Sequence, residues 1–262
     1  LEVLGGKIIL PQLNRHQVGQ KVREVGPKTH YDKSGTPTFG GAIFLFAFTL
    51  LAIISLIIDF RADFFAILLF ILAHAAIGFA DDFVKVRINK NGLSARAKTL
   101  YLLIVQVVFV AIYLFALVGP VRMVLPFSMG VWTITGVWKV LYGLFLIFYF
   151  YACTNAVNIT DGVDGLATTV SVVTLTFLTL HVLWHPTSPG ANHSLWFASS
   201  LSGALLGFLL YNWHKAKVFM GDFGSLAIGA AIAVLFLREE VPLAFVLAGV
   251  IYVIEIGSVF IQ

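Results

Sequence analysis

Long apolar runs, separated by short polar stretches, recur along the whole chain. Most of these runs approach the roughly 20 residues that a helix needs to cross the hydrocarbon core of a bilayer. The pattern therefore predicts an all-α fold, a polytopic transmembrane helical bundle with eight visible spans. The predicted spans are residues 40–58, 64–80, 99–118, 137–156, 166–184, 195–211, 225–237 and 243–262.

Composition supports the same class. Of the 262 residues, 59% are hydrophobic and only 11% are charged, whereas a soluble domain has about 25% charged residues. The single cysteine, Cys153, excludes an intrachain disulfide, and the net charge of +4 does not by itself indicate nucleic acid. No repeat or low-complexity linker divides the chain, so residues 1–262 are predicted to form one integral-membrane domain. Because the chain begins without Met and ends inside an apolar run, we expect an incomplete version of a longer protein, with residues 1–10 as the tail of an earlier span.

Basic residues orient the predicted spans. If the N-terminal tail is placed on one side of the membrane, called the first face, the eight spans assign every loop to a side. Thirteen Lys and Arg residues then lie on the first face, and four lie on the other: Arg61, Arg122, Lys139 and Arg238. Lys and Arg concentrate in cytoplasmic loops, so the first face is predicted to be cytoplasmic. One span more or less would scatter the basic loops over both faces, which supports the eight-span topology.

Acidic residues gather on the same predicted cytoplasmic face. Five of them lie at or near helix ends: Asp81, Asp82, Asp161, Asp164 and Asp222. Carboxylates at a membrane face are costly unless cations accompany them. Lys33, Lys85 and Lys98 lie in the same layer, so this face is predicted to hold a charged site.

The stretch "TNAVNITDGVDGLA" spaces four polar residues three apart: Asn155, Asn158, Asp161 and Asp164. On a continuous α-helix each step of three drifts by about 60°, so the first and last side chains would face opposite ways. Gly162 and Gly165 predict a break that lets the second half curl back. The result would be a pocket of amide and carboxylate oxygens, which Mg²⁺ prefers. The alternative is a hydrated loop rich in turn-forming residues.

The stretch "GFADDFVKV" places two adjacent carboxylates at an apolar–polar boundary. Asp81 and Asp82 are followed one helical turn later by Lys85. Such a pair can coordinate a metal or accept a proton. The alternative is a solvated helix end, although an Asp near a helix C-terminus opposes the helix dipole.

The stretch "VFMGDFGSL" contains one acid between two glycines. Gly221 and Gly224 would let the backbone approach a ligand closely, and Asp222 is the acid at that point. The alternative is an N-cap for the helix predicted from Ser225, with Asp222 or Ser225 as the capping residue.

The stretch "GPKTHYDKSGTPTFGG" combines cations with a Gly-Thr-Pro-Thr turn. Lys28, His30 and Lys33 stand beside this turn, whose N–H groups and hydroxyls could hold phosphate. The spacing is not that of a Walker loop. The alternative is a basic juxtamembrane stretch that contacts anionic lipid.

These stretches, together with "YNWHKAKVFMGDFGSL", closely resemble the phospho-N-acetylmuramoyl-pentapeptide transferases, a branch of the polyprenyl-phosphate sugar-1-phosphate transferase superfamily. The resemblance runs over residues 18–262 with the motifs in family order. It implies ten spans in a complete member. The family's His-rich cytoplasmic loop and last span would follow Gln262.

The resemblance implies a reaction at a bacterial inner membrane, with the active site on the cytoplasmic face. Undecaprenyl phosphate, a membrane lipid, would attack the β-phosphorus of UDP-N-acetylmuramoyl-pentapeptide, giving lipid I and UMP with Mg²⁺ as cofactor. Whether the transfer is direct or passes through an aspartyl intermediate stays open, and so does the oligomeric state, with a homodimer as one option. No nucleic-acid partner is implied.

Two other functions are weighed against this one. The nearest is a sister transferase that moves N-acetylglucosamine-1-phosphate onto a lipid phosphate. A distant one is a cation transporter that uses the five Asp residues, but transporter sites usually lie at mid-membrane between repeats, whereas these acids crowd one face.

The resemblance also implies a role for each matching residue. Asp222 and Asn158 would be the Mg²⁺ ligands, and Asp81 and Asp82 would handle the lipid phosphate, so that the catalytic set is Asp81, Asp82 and Asp222. The uridine pocket would be lined by Lys33, Asp164, Asn212 and Phe219, with the Phe219 ring stacked on uracil. The phosphate and metal shell would be completed by Asn155, Asp161, Thr38, Lys85 and Lys98.

Overall fold

Helices provide nearly all the regular structure in the computed structural model, which describes residues 11, 36–89, 91–127, 129–185 and 190–261. A π-helical turn, Tyr113–Leu117, extends the helix Ala95–Ile112. The predicted roles of Lys28, His30, Lys33 and residues 1–10 lie outside the described residues. The described helices are α1 Gly41–Ile58, α2 Ala62–Arg87, α3 Ala95–Ile112, α4 Trp138–Thr160, α5 Leu166–Trp184, α6 Ala191–Asn212, α7 Gly221–Arg238, α8 Ala244–Ala248 and α9 Val250–Ile261.

In this described part, seven helices, α1 to α7, are long and apolar enough to cross a membrane. The prediction of a polytopic membrane bundle is confirmed. Helix α2 continues beyond the predicted end at residue 80, so that Asp81, Asp82 and Lys85 are helical. The Asp81–Lys85 pair is four residues apart, the spacing at which opposite charges meet on one helix face and support its last turn.

The eighth predicted span, residues 243–262, is wrong as a single helix. The structure has two short helices there, α8 and α9, with Gly249 between them. Hydropathy is high on both sides of the break, and hydropathy does not report backbone continuity. The Tyr252 ring lies against Gly249, where a Cβ would be 2.9 Å from a ring carbon, so the break accommodates this aromatic side chain.

A β-hairpin that the apolar pattern did not predict joins α3 to α4. Strands β1, Val121–Val124, and β2, Val131–Ile134, pair antiparallel. The Val124 N–H donates to the Glu240 carbonyl at 2.7 Å, which fastens the hairpin to the link between α7 and α8. Each strand has only four residues, too few for a distinct alternating pattern to stand out.

Helix α7 lies at the centre of the bundle and packs most extensively against α2 and α4. Its sequence "GDFGSLAIGAAIAV" is rich in small residues, which let helices approach closely in a membrane. A Cβ on Gly78 of α2 would be 2.1 Å from the Asp222 carbonyl oxygen, and one on Gly229 would be 2.7 Å from the Thr154 Cα. The small residues therefore set how closely α2 and α4 approach α7.

An ion cluster joins α2 and α7 at the end opposite the acidic motifs. The Arg238 guanidinium donates to Asp63 Oδ2 at 3.0 Å, and Arg61 donates to the same oxygen at 3.1 Å. Helix α2 runs from this cluster to Asp81 and Asp82 at its other end. All the acidic motifs whose positions are described thus lie at one end of the bundle, as predicted.

Candidate active site

Three carboxylates from two helices converge at the N-terminal end of α7. Asp81 and Asp82 come from the last turns of α2, and Asp222 comes from the first turn of α7. One oxygen from each lies within 4.8 Å of the others. The close approach of α2 to α7 at Gly78, one turn before Asp81, brings the three groups together.

Two lysines bridge these carboxylates. Lys85 Nζ lies 2.7 Å from Asp81, 2.8 Å from Asp222 and 3.5 Å from an Asp82 oxygen. Lys98, in the first turn of α3, places its Nζ 2.6 Å from Asp222 and 3.6 Å from Asp81. Three carboxylates facing two ammonium groups leave one formal negative charge, so the cluster has capacity for a further cation.

Asn158 orients Asp222 from the side of α4. Its Nδ2 donates to Asp222 Oδ1 at 2.8 Å and to Ser225 Oγ at 2.7 Å. Asp222 therefore receives hydrogen bonds from α2, α3 and α4. It does not cap its helix, because the N-cap position is Met220 and the helix begins at Gly221 rather than at Ser225. The capping alternative for Asp222 is wrong.

Asp82 is fully buried beneath the start of α7. Its Oδ2 accepts from the Phe223 N–H at 3.0 Å, while its Oδ1 and the Thr38 Oγ1 form no hydrogen bond with the described residues. Gly221 has a φ of +70°, and a Cβ there would be 2.3 Å from Asp82 Oδ2. This position requires glycine both for its backbone conformation and for the space that Asp82 occupies.

The donor set fits Mg²⁺. Carboxylate oxygens are the preferred ligands of this cation, and three carboxylates are within reach of one another. The buried Asp82 Oδ1 lies 3.5 Å from Lys85 Nζ and accepts no hydrogen bond from the described residues, so a metal cation is a suitable further partner. Asn158 faces Asp222 with its Nδ2, which donates and so orients the carboxylate. The predicted role of Asn158 as a Mg²⁺ ligand would use its Oδ1 and stays a prediction.

The predicted four-residue ladder is divided by a break in the helix, as expected. Helix α4 ends at Thr160, and Gly165 adopts a left-handed φ of +71° before α5. The side chains on the two sides of this break make different contacts. Asn158 joins Asp222, Asn155 donates back to the Tyr151 carbonyl at 2.7 Å, and Asp161 is partly exposed at the end of α4.

Asp164 and Asn212 both secure the link between α6 and α7. Asp164 Oδ2 accepts from the Ala216 N–H at 3.1 Å. Asn212 is buried: its Oδ1 accepts from the Thr168 hydroxyl at 2.8 Å and the Gly165 N–H at 3.2 Å, and its Nδ2 donates to the Val218 carbonyl. The Asn212 amide is thus occupied by contacts that support this link, and its predicted place in a uridine pocket stays a prediction.

Phe219 is held at the edge of the site by its backbone. Its N–H donates to the Pro37 carbonyl and its carbonyl accepts from the Gly40 N–H, both at 2.9 Å. These bonds join the Gly-Thr-Pro-Thr segment to the start of α7. The Phe219 side chain is half-buried.

Two contributors to the site were missed from sequence. Gly78 carries no chemical group, and the signal that could have found it is a small residue one helical turn before the paired Asp residues. The Leu93 N–H donates to Asp81 Oδ1 at 2.7 Å from the loop between α2 and α3. A backbone donor of this kind leaves no mark in the side-chain sequence.

The fold and the cluster together define a helical membrane protein with a charged site at one end of its helices. Comparison with protein families matches residues 64–239 to "Glycosyl transferase family 4". This stretch includes Asp81, Asp82, Asn158 and Asp222.

Two similar proteins identify a narrower group within this family. A phospho-N-acetylmuramoyl-pentapeptide-transferase from Caldanaerobacter subterraneus subsp. tengcongensis is 40% identical, over 99% of this chain and 79% of its own length. One from Clostridium perfringens strain 13 is 42% identical, over 98% of this chain and 78% of its own length. The chain therefore belongs to glycosyl transferase family 4 and, within it, to the phospho-N-acetylmuramoyl-pentapeptide-transferases.

Proposed function

We propose that this protein transfers phospho-N-acetylmuramoyl-pentapeptide from UDP-N-acetylmuramoyl-pentapeptide to undecaprenyl phosphate, giving lipid I and UMP. The names of its relatives support the transferred group. The reaction would take place at the cytoplasmic face of a bacterial inner membrane, which agrees with the surplus of basic residues on that predicted face.

The observation that carries the proposal is the meeting of Asp81, Asp82 and Asp222 with Lys85 and Lys98 at one end of the helices. Both substrates carry phosphate, and one is anchored in lipid. A charged cluster at the ends of membrane helices is within reach of a water-soluble nucleotide and of a lipid headgroup. A site buried at mid-membrane would exclude the nucleotide.

Mg²⁺ would be held by Asp222 together with Asp81 and Asp82. When bound, it would neutralise pyrophosphate charge and make the β-phosphorus easier to attack. Asn158, which donates to Asp222 Oδ1 and to Ser225 Oγ, keeps the Asp222 carboxylate in place. Lys85 and Lys98, which pair with Asp222 in the structure, would turn to the phosphate oxygens of the donor.

The transfer forms one P–O bond and breaks another. An oxygen of the lipid phosphate bonds to the β-phosphorus, and the bond from that phosphorus to the UMP oxygen breaks, so that UMP leaves with the electron pair. Asp82 would accept a proton from the lipid phosphate. Thr38, whose hydroxyl is beside Asp82 and Gly221, would donate to a phosphate oxygen.

The uridine would lie on the side of the α6–α7 link. The Phe219 ring would stack on uracil, and Asp164, which accepts from the Ala216 N–H, borders the same link. Lys33, Asn155 and Asp161 would complete the phosphate and uridine contacts. Asn212 would maintain the shape of the link.

The test is a reconstituted reaction. The purified protein in detergent is incubated with UDP-N-acetylmuramoyl-pentapeptide, undecaprenyl phosphate and Mg²⁺, and UMP and the lipid product are measured, the latter by mass spectrometry. We expect UMP and lipid I in equal amounts, and loss of both when EDTA removes the metal. A lipid product formed only from UDP-N-acetylglucosamine would assign the protein to the sister transferases, and absence of UMP with either donor would contradict the transferase reaction.

A further inference from the structure

A pair of polar side chains is buried between α2 and α3, within their apolar segments. His74 on α2 and Gln106 on α3 are both fully buried. The Gln106 Nε2 lies 3.4 Å from the His74 Nε2. Polar side chains inside membrane helices are costly and usually serve a purpose, and neither of these two belongs to the carboxylate cluster.

The hydrogen bonds define the protonation of the His74 ring. Its Nδ1 lies 2.9 Å from the Phe70 carbonyl oxygen, which can only accept, so Nδ1 carries the proton and donates. A neutral ring then leaves Nε2 as an acceptor for the Gln106 N–H. A doubly protonated ring would place two N–H groups against each other, so the pair requires the neutral ring.

Aromatic contacts surround the same crossing. The Phe70 ring centroid lies 4.4 Å from the His74 ring and 4.2 Å from the Phe109 ring of α3. Apolar side chains tolerate sliding, but a hydrogen bond between two short polar groups is satisfied at one axial position. A slide of one residue moves a helix by about 1.5 Å, which would break the His74–Gln106 contact.

The pair lies about two helical turns from the candidate active site on both helices. On α2, seven residues separate His74 from Asp81, and on α3 eight residues separate Lys98 from Gln106. Lys98 is the group that α3 supplies to the cluster, with its Nζ 2.6 Å from Asp222. We propose that His74 and Gln106 are a positioning pair that sets the register of α3 against α2 and thereby holds Lys98 on Asp222.

A purely space-filling role fits the contacts less well. Two apolar side chains of similar size would fill the same gap without burying polar groups in a membrane. The Gln106 Oε1 makes no hydrogen bond with the described residues, so the amide also carries an uncompensated cost. Such a cost is consistent with a contact retained for the position that it imposes.

The first test reads the position of Lys98 without using activity. The amine reagent acetyl-N-hydroxysuccinimide labels the folded protein, and mass spectrometry follows the rate of modification at Lys98. In Gln106→Leu, which keeps the volume but removes the hydrogen bond, we expect Lys98 to react roughly 3- to 10-fold faster because it leaves its partners. Thr174→Val is the matched control: it removes an interhelical bond of 3.2 Å to the Ala248 carbonyl, far from Lys98. Equal labelling of Lys98 in Gln106→Leu and the parent would overturn the proposal.

The second test, which rests on the proposed function, uses UMP release. We expect Gln106→Leu to lower kcat roughly 10-fold, since a misplacement near 1 Å can cost up to about 10²-fold, and Thr174→Val to stay within about twofold of the parent. In a Lys98→Gln background the same Gln106→Leu change should cost less than about twofold, because the group that it positions is gone. If Gln106→Leu lowers kcat in the Lys98→Gln background by as much as it does in the parent, the positioning role is overturned. If the parent releases no UMP, the proposed function fails, and the labelling of Lys98 still decides this inference.

Discussion

At the scale of single residues, Asp222 is the carboxylate of the candidate site that three other helices contact. It accepts hydrogen bonds from Lys85, Lys98 and Asn158, and Met220 occupies the N-cap position. We expect Asp222→Asn to lower turnover by roughly 10³-fold or more, because loss of a charged metal ligand removes several kcal/mol of charge stabilisation. The measurement is kcat for UMP release, with thermal unfolding as the control for folding. Turnover near that of the parent would show that Asp222 is not a metal ligand.

Phe219 should affect nucleotide binding rather than chemistry. Stacking of a base on an aromatic ring contributes roughly 1–3 kcal/mol, so Phe219→Ala should weaken UMP binding by about 5- to 150-fold, while Phe219→Trp should retain much of the affinity. Asp82→Asn should behave in the opposite way, with UMP affinity nearly intact and turnover lost. Titration of the variants with UMP at constant Mg²⁺ separates the two roles. UMP binding to Phe219→Ala with the affinity of the parent would exclude stacking.

Asn212 should matter for stability and, through the α6–α7 link, for nucleotide affinity. Asn212→Ala leaves the Gly165 N–H and the Val218 carbonyl without their side-chain partner, and each buried group left unpaired costs about 1–3 kcal/mol. We expect a lower unfolding temperature together with weaker UMP binding. Asn155→Ala is the control for stability, because the Asn155 amide donates back to its own helix at Tyr151. Equal unfolding temperatures for the two variants would contradict this assignment.

At the scale of helices, the contact between α2 and α7 determines whether the carboxylates meet. A Cβ at Gly78 would be 2.1 Å from the Asp222 carbonyl oxygen, whereas a Cβ at Gly203 of α6 has no neighbour within 4 Å. We expect Gly78→Ala to lower the unfolding temperature and to reduce turnover at least 10-fold, since displacement of reacting groups near 1 Å can cost up to about 10²-fold. Gly203→Ala should be neutral or slightly stabilising, because Ala favours helix over Gly by about 1 kcal/mol.

The comparison of these two glycine variants is made by unfolding temperature and by kcat for UMP release. Both substitutions add one methyl group inside a membrane helix, so they differ only in what the methyl group meets. Equal tolerance of Gly78→Ala and Gly203→Ala would mean that close packing of α2 on α7 does not position Asp222.

At the scale of the whole molecule, we expect the carboxylate cluster to face the cytoplasm and the β1–β2 hairpin to lie on the opposite side of the membrane. Thr133 in β2 lies at the end of the bundle opposite the carboxylates, and Val163, between α4 and α5, lies at the carboxylate end; both are exposed. In intact cells a membrane-impermeant maleimide should label Thr133→Cys and should label Val163→Cys only after permeabilisation. Cys153 is buried and serves as an internal control. Efficient labelling of Val163→Cys in intact cells would reverse the topology and contradict a cytoplasmic nucleotide donor.

Much of the fold could be predicted because a bilayer restricts a chain strongly. A spanning segment must be apolar and helical, so the positions of α1 to α7 follow from hydropathy, and α5 has the predicted bounds. Hydropathy does not determine whether the backbone of an apolar segment forms one continuous helix. The break at Gly249 and the hairpin β1–β2 depend on local backbone geometry and on contacts with Tyr252 and Glu240, and neither changes the mean hydropathy of its segment.

The sequence by itself determined which chemical groups lie at one membrane face, because charge clustering and span count are properties of the linear chain. Asp81, Asp82, Asp222, Lys85 and Lys98 could all be assigned to one layer in this way. Only the tertiary structure decided which of them touch. Asp222 meets Asp81 across 141 positions of the chain because Gly78 lets α7 approach α2, and Asn212 faces inward because Gly165, Thr168 and Val218 surround its amide. Contacts of this kind depend on the rotation and separation of helices, which packing sets and which no single segment encodes.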